Sequence, residues 1–262
     1  MNALDLSSPA AEAAAGGAAP SPGISAHFDM LVPLLATALR DRDGNLKLQV
    51  LQFLQMVLES HTTAAVTPHA TALIPAVIAC ASEDWYKIIA QSLRVISAFV
   101  SVLRPITTDA GGRSFLANAA PSAGSVEGEL LGKMFDATLA RLSQNDIDQE
   151  IKDCAIQAMG GLVAHFGDCD KQSGIGLAIP SIWPLMQTRL RNEVTRIATL
   201  SALRRIAESP LDTSIAVIMV VRGSTFFFME HTLLHFVSRH AASESRIPYP
   251  VLLFYLCPHV LI

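Results

Sequence analysis

Residues 145–166 read NDIDQEIKDCAIQAMGGLVAHF, an acid- and amide-rich start that becomes apolar at steady intervals. Ile151, Ala155, Met159, Leu162 and Phe166 recur every three or four residues, which puts them on one face of an α-helix. Asp146 and Asp148 stand where a helix start favours an acceptor and a negative charge. The same pattern returns as LKLQVLQFL at 46–54, IIAQSLRVI at 88–96 and TRIATLSAL at 195–203. Aligned, these segments place Leu51, Leu93, Ile156 and Leu200 in one column, separated by 42, 63 and 44 residues. The long middle gap contains a Gly/Ala/Ser-rich run, 107–126, that breaks the periodicity; without it the spacing becomes 43.

Each unit also has an earlier apolar segment: HFDMLVPLLATALR at 27–40, PHATALIPAVIACAS at 68–82, EGELLGKMFDATLARL at 127–142 and IPSIWPLMQTRL at 179–190. Pro33, Pro75 and Pro184 fall inside these first helices, where proline produces a kink. Two helices repeating with a period in the low forties indicate HEAT or armadillo repeats. The predicted fold is all-α: a HEAT/armadillo-type α-solenoid of about four helix pairs, in one right-handed array, with irregular N- and C-terminal tails. No Asn-Gly or Asp-Gly turn joins alternating runs, so strands are not expected before residue 210. The expected organisation is a disordered tail over 1–26, a solenoid over 27–211 with 107–126 as a mobile loop insertion, and a divergent apolar tail over 212–262.

Composition changes this picture little. Apolar residues make up 51% of the chain and charged residues 16%, which excludes a disordered chain and suits helices buried on two sides. A net charge of −4 without a basic stripe argues against a nucleic-acid partner. The longest unbroken apolar runs, 215–221 and 251–257, have seven residues, well short of the roughly 20 of a membrane span, so no membrane partner is expected. The first 23 residues lack Lys and Arg and do not resemble a secretory or mitochondrial leader. Cys80, Cys154, Cys169 and Cys257 are scattered without a C-x-x-C pair and read as buried thiols. Together these features predict a soluble, intracellular chain.

Candidate chemistry is sparse. His231 and His235, with His240 or Cys257, could share a metal, but helical spacing of two histidines is a weak signal and no metal site is expected. Gly174 and Gly176 lack the third glycine of a dinucleotide turn, and no phosphate-loop or nucleophile-elbow motif occurs. Gly160 and Gly161 read as small residues that admit a neighbouring helix. The expectation is a non-enzyme with no catalytic residue, cofactor or small-molecule substrate. A basic residue follows an acid or amide at each second helix: Asp43 and Lys47, Asp84 and Lys87, Asp148 and Lys152, Asn192 and Arg196. Lys47, Lys87, Lys152 and Arg196 could form a ladder for an acidic partner. The favoured reading is structural: each acid caps its helix and pairs with the basic residue one turn on or with that of the neighbouring repeat, for a few tenths of a kcal/mol each.

Residues 146–168 (DIDQEIKDCAIQAMGGLVAHFGD) and 190–211 (LRNEVTRIATLSALRRIAESPL) resemble the middle repeats of the cullin-associated, neddylation-dissociated proteins. Residues 69–106 are similar to the repeat before them and 45–54 to the one before that, so the likeness runs from 28 to 211. The strings D-I-D-Q-E and L-x-N-E-[VI]-T-R are more specific than a HEAT consensus. The resemblance implies part of a longer solenoid that wraps a cullin–RING complex and promotes exchange of substrate receptors on SCF-type ubiquitin ligases. It implies no partner-contacting residue. If second helices line the concave side, Gln149, Lys152, Asp153, Glu193, Arg196 and Arg204 are the expected partner contacts. The alternatives are a generic HEAT adaptor, such as a transport or phosphatase scaffold, an inactive truncated fragment, and a metal-dependent activity in the histidine-bearing tail. The tail after 212 departs from the family pattern, and its removal is expected to improve solubility.

Overall fold

The computed structural model describes residues 27–122, 124–169 and 177–211. The expected tails, the histidines and Cys257 of the C-terminal segment, and Gly174 and Gly176 lie outside the described residues. Within them, eight helices fall into four consecutive pairs: α1 (Phe28–Ala38) with α2 (Gly44–Ser60), α3 (Thr63–Ala81) with α4 (Tyr86–Leu103), α5 (Val126–Ser143) with α6 (Gln149–Phe166), and α7 (Ile179–Arg191) with α8 (Arg196–Ala207). First helices pack on first helices and second on second: α1, α3, α5 and α7 form one layer, α2, α4, α6 and α8 the other. The second-helix layer is the more tightly packed. This two-layer stacking is the α-solenoid that the period implies.

Leu51, Leu93 and Ile156 are completely buried, while Leu200 is half-buried against the core. Pro33, Pro75 and Pro184 lie inside α1, α3 and α7. The carbonyls of Pro33 and Pro184 each accept a hydrogen bond from a threonine one turn on, Thr37 (2.8 Å) and Thr188 (2.9 Å). α3 starts earlier than Pro68 suggested, after Thr62. Pro68 thus lies inside the helix, where proline gives up a backbone bond and crowds the carbonyl one turn back, while Val66 in the added stretch is buried. α3 and α4 are long and apolar enough to cross a membrane by composition alone. Here that apolar surface packs on neighbouring helices, with Ile74, Leu93, Ile96 and Phe99 buried.

Successive first helices are joined by a repeated polar device. The last carbonyls of a helix have no partner within it. In the second, third and fourth units a side chain near the end of the first helix reaches the end of the preceding one. The Cys80 thiol contacts the Leu39 carbonyl at 3.6 Å, Arg141 donates to Ala81 (2.8 Å) and Glu83 (3.2 Å), and Arg189 donates to Leu142 (2.6 Å) and Gln144.

Residues 107–126 correct the expectation of no strand. β1 (Ile106–Thr108) and β2 (Ser114–Leu116) pair antiparallel, Thr107 opposite Phe115. Their turn is Asp-Ala-Gly-Gly. Asp109 accepts from the backbone N–H of Gly111 and of Arg113, both at 2.8 Å, and Gly112 takes φ +78°, a conformation glycine adopts at little cost.

Candidate partner-binding surface

The capping half of the structural reading of the charged ladder holds in two units and is matched by an Asx turn in a third. Asp43 caps α2 by accepting from Asn45 and Leu46, and Asp148 caps α6 by accepting from Glu150. Asn192 accepts from the Val194 N–H at 3.0 Å. α4 has no side-chain cap. The pairing half appears between neighbouring units at Lys47, which bonds Glu83 of the next unit, whereas Lys87 lies 5.9 Å from the ring centre of Tyr86. The basic ladder is thus partly absorbed into the fold.

A groove of about 800 Å³ opens on the second-helix layer, floored by α4 and walled by α2 and α6. Its floor is of small residues, Ser97, Ala98 and Ser101; Gln55 and Glu59 line one wall, Asp153 and Gln157 the other. Polar side chains also link the helices around it. Gln91 donates to Gln55 at 2.7 Å, Arg94 bonds Glu150 at 2.6 Å, and Gln157 donates to the Ala198 carbonyl at 2.8 Å.

Of the six residues singled out in the sequence, Asp153 lines this groove. Gln149, half-buried, donates to Asp153 at 2.8 Å. Lys152 is half-buried on α6, next to Asp153 in sequence. Burial raises the Asp153 carboxyl above its ordinary value, against the lowering effects of the Gln149 bond and the Lys152 charge. Glu193 and Arg204 are exposed at the fourth unit, Arg204 with Glu208 at 3.9 Å. Arg196 is half-buried, its Nε donating to the Leu190 carbonyl at 3.4 Å. Sequence reasoning missed Gln55, Glu59, Arg94 and Gln157. A signal existed: Gln52, Arg94, Gln157 and Ser201 each follow the aligned apolar column by one residue.

Beside the groove lies a buried polar cluster. Arg104, 5% exposed, grips Asp168 with two nitrogens (2.6 and 2.8 Å) and also donates to the carbonyls of His165 (2.7 Å) and Asn118 (3.0 Å). Burial works to raise the Asp168 carboxyl, but the Arg104 bonds and charge outweigh it and hold it low. His165 Nδ1 lies 2.7 Å from the Arg104 carbonyl, which can only accept, so Nδ1 carries the proton. Nε2 is then free to accept from Arg205 at 3.2 Å. Arg205 continues across α6 to Ser97 (3.2 Å) and Ser101 (2.8 Å), over the missing side chain of Gly161.

Burial pushes His165 down to about 4, the backbone bond to Arg104 opposing and the charges of Arg205 and Arg104 reinforcing. The folded value lies below the unfolded value near 6.5, so the unfolded chain binds the proton more tightly. His165 therefore contributes stability that is complete above about pH 6.5 and lost as pH falls towards 4, on the order of 3 kcal/mol in all. Urea unfolding measured between pH 4 and 7 should show stability rising with pH, and His165→Gln should flatten that rise.

Burial raises the Cys80 and Cys154 thiols to about 11, Cys80 with help from Glu83, which leaves them poor nucleophiles. Among the described residues no group of three or more His, Cys, Asp or Glu is placed to hold a metal.

Comparison with known proteins follows the same line. The family described as CAND1-like, TPR repeats matches residues 23–159. Cullin-associated NEDD8-dissociated protein 1 of Arabidopsis thaliana is 34% identical over 195 residues, covering 74% of this chain and 14% of that protein. The Drosophila melanogaster protein of the same name is 33% identical over 71% of this chain and 14% of its own length. Cullin-associated NEDD8-dissociated protein 2 of Mus musculus is 34% identical over 72% of this chain and 14% of its own length. The chain thus spans about 14% of the length of these relatives. Among solved structures, a designed armadillo repeat protein in complex with peptide (KR)4 superposes with a TM-score of 0.50 at 12% identity, over 89% of this chain and 84% of that one. An engineered protein gives 0.50 at 14% identity, over 74% and 69%. These two likenesses concern the fold alone. The period of 42–44 residues exceeds the 34 of a tetratricopeptide unit and suits the HEAT/armadillo class. A family match over residues 23–159, more than half of the chain, with relatives 33–34% identical over 71–74% of it, makes this chain a member of the CAND1-like family of cullin-associated repeat proteins.

Proposed function

We propose that this chain is a non-enzymatic scaffold that binds a cullin–RING complex free of its ubiquitin-like modifier, through the second-helix layer. The carrying observation is the family membership itself: residues 23–159 match the CAND1-like family, and 71–74% of the chain matches proteins named for cullin association. Support comes from the second-helix layer, where Gln149, Lys152, Asp153, Glu193, Arg196 and Arg204 sit at or beside α6 and α8. Exchange of substrate receptors is the larger activity to which such binding would belong, acting in cytoplasm and nucleus. With about 14% of the relatives' length present, the expected contact is short and weak. A generic HEAT adaptor role is the alternative, disfavoured by D-I-D-Q-E and N-E-V-T-R. The test is titration of the full chain against an unmodified cullin–RING complex. Weak binding that fades as salt rises is expected, since exposed charges are screened within about 8 Å at physiological ionic strength. No binding at concentrations where a full-length relative saturates would overturn the proposal.

A further inference from the structure

The groove over α4 has a specific charge inventory. Two cations line it, and both are already engaged. Arg94 is held by Glu150 and by Gln91 at 3.2 Å, and Arg205 by Ser97, Ser101 and His165. Two carboxylates line it, Glu59 on the α2 wall and Asp153 on the α6 wall. Each accepts only from a neutral amide of its own helix, Gln55 and Gln149, both at 2.8 Å. Among the described residues neither makes an ion pair. Arg205 likewise has only neutral partners, so the charge left without an ion pair at this groove is one guanidinium over the floor against two carboxylates on opposite walls, a net negative. Between them the floor is short-chained and largely apolar: Leu93, Ser97, Ala98, Ser101 and Val102. Such a floor admits an occupant's backbone and small side chains but leaves little depth for large ones.

We propose that this groove holds an extended segment of a protein partner that carries lysine or arginine side chains between small residues, the cations bonding to Glu59 and Asp153. The assignment rests on the reading above only in taking the second-helix layer as the partner-facing one. It predicts that a cationic segment binds here even when detached from any cullin.

The test uses the full chain and two labelled synthetic peptides, (Ala-Lys)4 and (Ala-Glu)4, followed by fluorescence anisotropy at low salt. The lysine peptide should bind and the glutamate peptide should not. The double variant Glu59→Gln/Asp153→Asn should weaken lysine-peptide binding at least five-fold. Glu129→Gln/Asp136→Asn, an equal charge change on the exposed side of α5, should leave it within two-fold. Circular dichroism confirms that both variants retain their helices; were the first to lose them, Glu59→Gln alone, at an exposed residue, should still weaken binding at least two-fold. Failure of the lysine peptide to bind overturns the proposal, as it would if a second copy or the chain's own residues filled the groove. Equal loss in both double variants, which would mean diffuse attraction to net negative charge, also overturns it. Loss of cullin–RING binding with peptide binding intact would instead count against the proposed function alone.

Discussion

Replacing Arg104 with alanine should destabilise the chain by about 3 kcal/mol and lower its melting temperature by roughly 10 °C. Arg104 closes the end of α4 against the end of α6, and almost none of its side chain reaches water. Its removal leaves the His165 and Asn118 carbonyls without that donor and Asp168 without its cation. The loss falls at the low end for a buried pair because the Asp168 side chain is 37% exposed and can recover water. Lysine should recover only part of the loss, since an ammonium cannot reproduce the planar fork that serves Asp168 and two carbonyls together. A fall of less than 2 °C in the alanine variant, measured by thermal unfolding at pH 7, would mean that the Arg104 cluster adds little to the junction of α4 and α6.

Substituting two glycines should give effects of opposite sign. A methyl group at Gly160 would lie 2.7 Å from the Ala202 Cβ and 3.0 Å from its Cα. The α6–α8 contact must open to admit it. Alanine is favoured over glycine in a helix by about 1 kcal/mol, while overpacking a core costs about 1–3 kcal/mol. Because the obstacle includes backbone, Gly160→Ala should lose about 1–2 kcal/mol net. Gly132, within α5, has nothing within 4 Å of the same added atom. Gly132→Ala should therefore stabilise by up to about 1 kcal/mol. Chemical denaturation of both variants checks this; a stabilised Gly160→Ala would refute the close approach of α6 and α8.

The helix pairs were legible because burial on both sides of each second helix imposes a periodic apolar column, and the chain repeats it from Leu51 to Leu200. Prolines at corresponding places marked the first helices, and the paired glycines 160–161 marked a close approach now seen against Ala202 and Arg205. The hairpin was not legible from short turn dipeptides. Its turn depends on Asp109 accepting two backbone bonds and on Gly112 at positive φ, signals carried by the whole Asp-Ala-Gly-Gly run. Contacts between units were harder still. Lys47 with Glu83 and Arg94 with Glu150 lie 36 and 56 residues apart and depend on how one helix is rotated against the next. For the same reason, spacing led to Asp153 but not to Glu59 across from it.

The most direct measurement of the central claim is the affinity of the full chain for an unmodified cullin–RING complex at about 0.1 M salt, compared with two charge-reversed variants. Lys152→Glu/Arg204→Glu reverses the second-helix layer. Arg204 is preferred to Arg196 as a partner in this variant because Arg196 is tied to the Leu190 carbonyl. Arg40→Glu/Lys133→Glu reverses as much charge at exposed positions of the first-helix side. Binding that weakens at least five-fold in the first variant and less than two-fold in the second, with melting temperatures within about 2 °C of the parent, is the expected result. Binding that is absent from the parent chain, or that is lost from the first-helix variant instead, would contradict it.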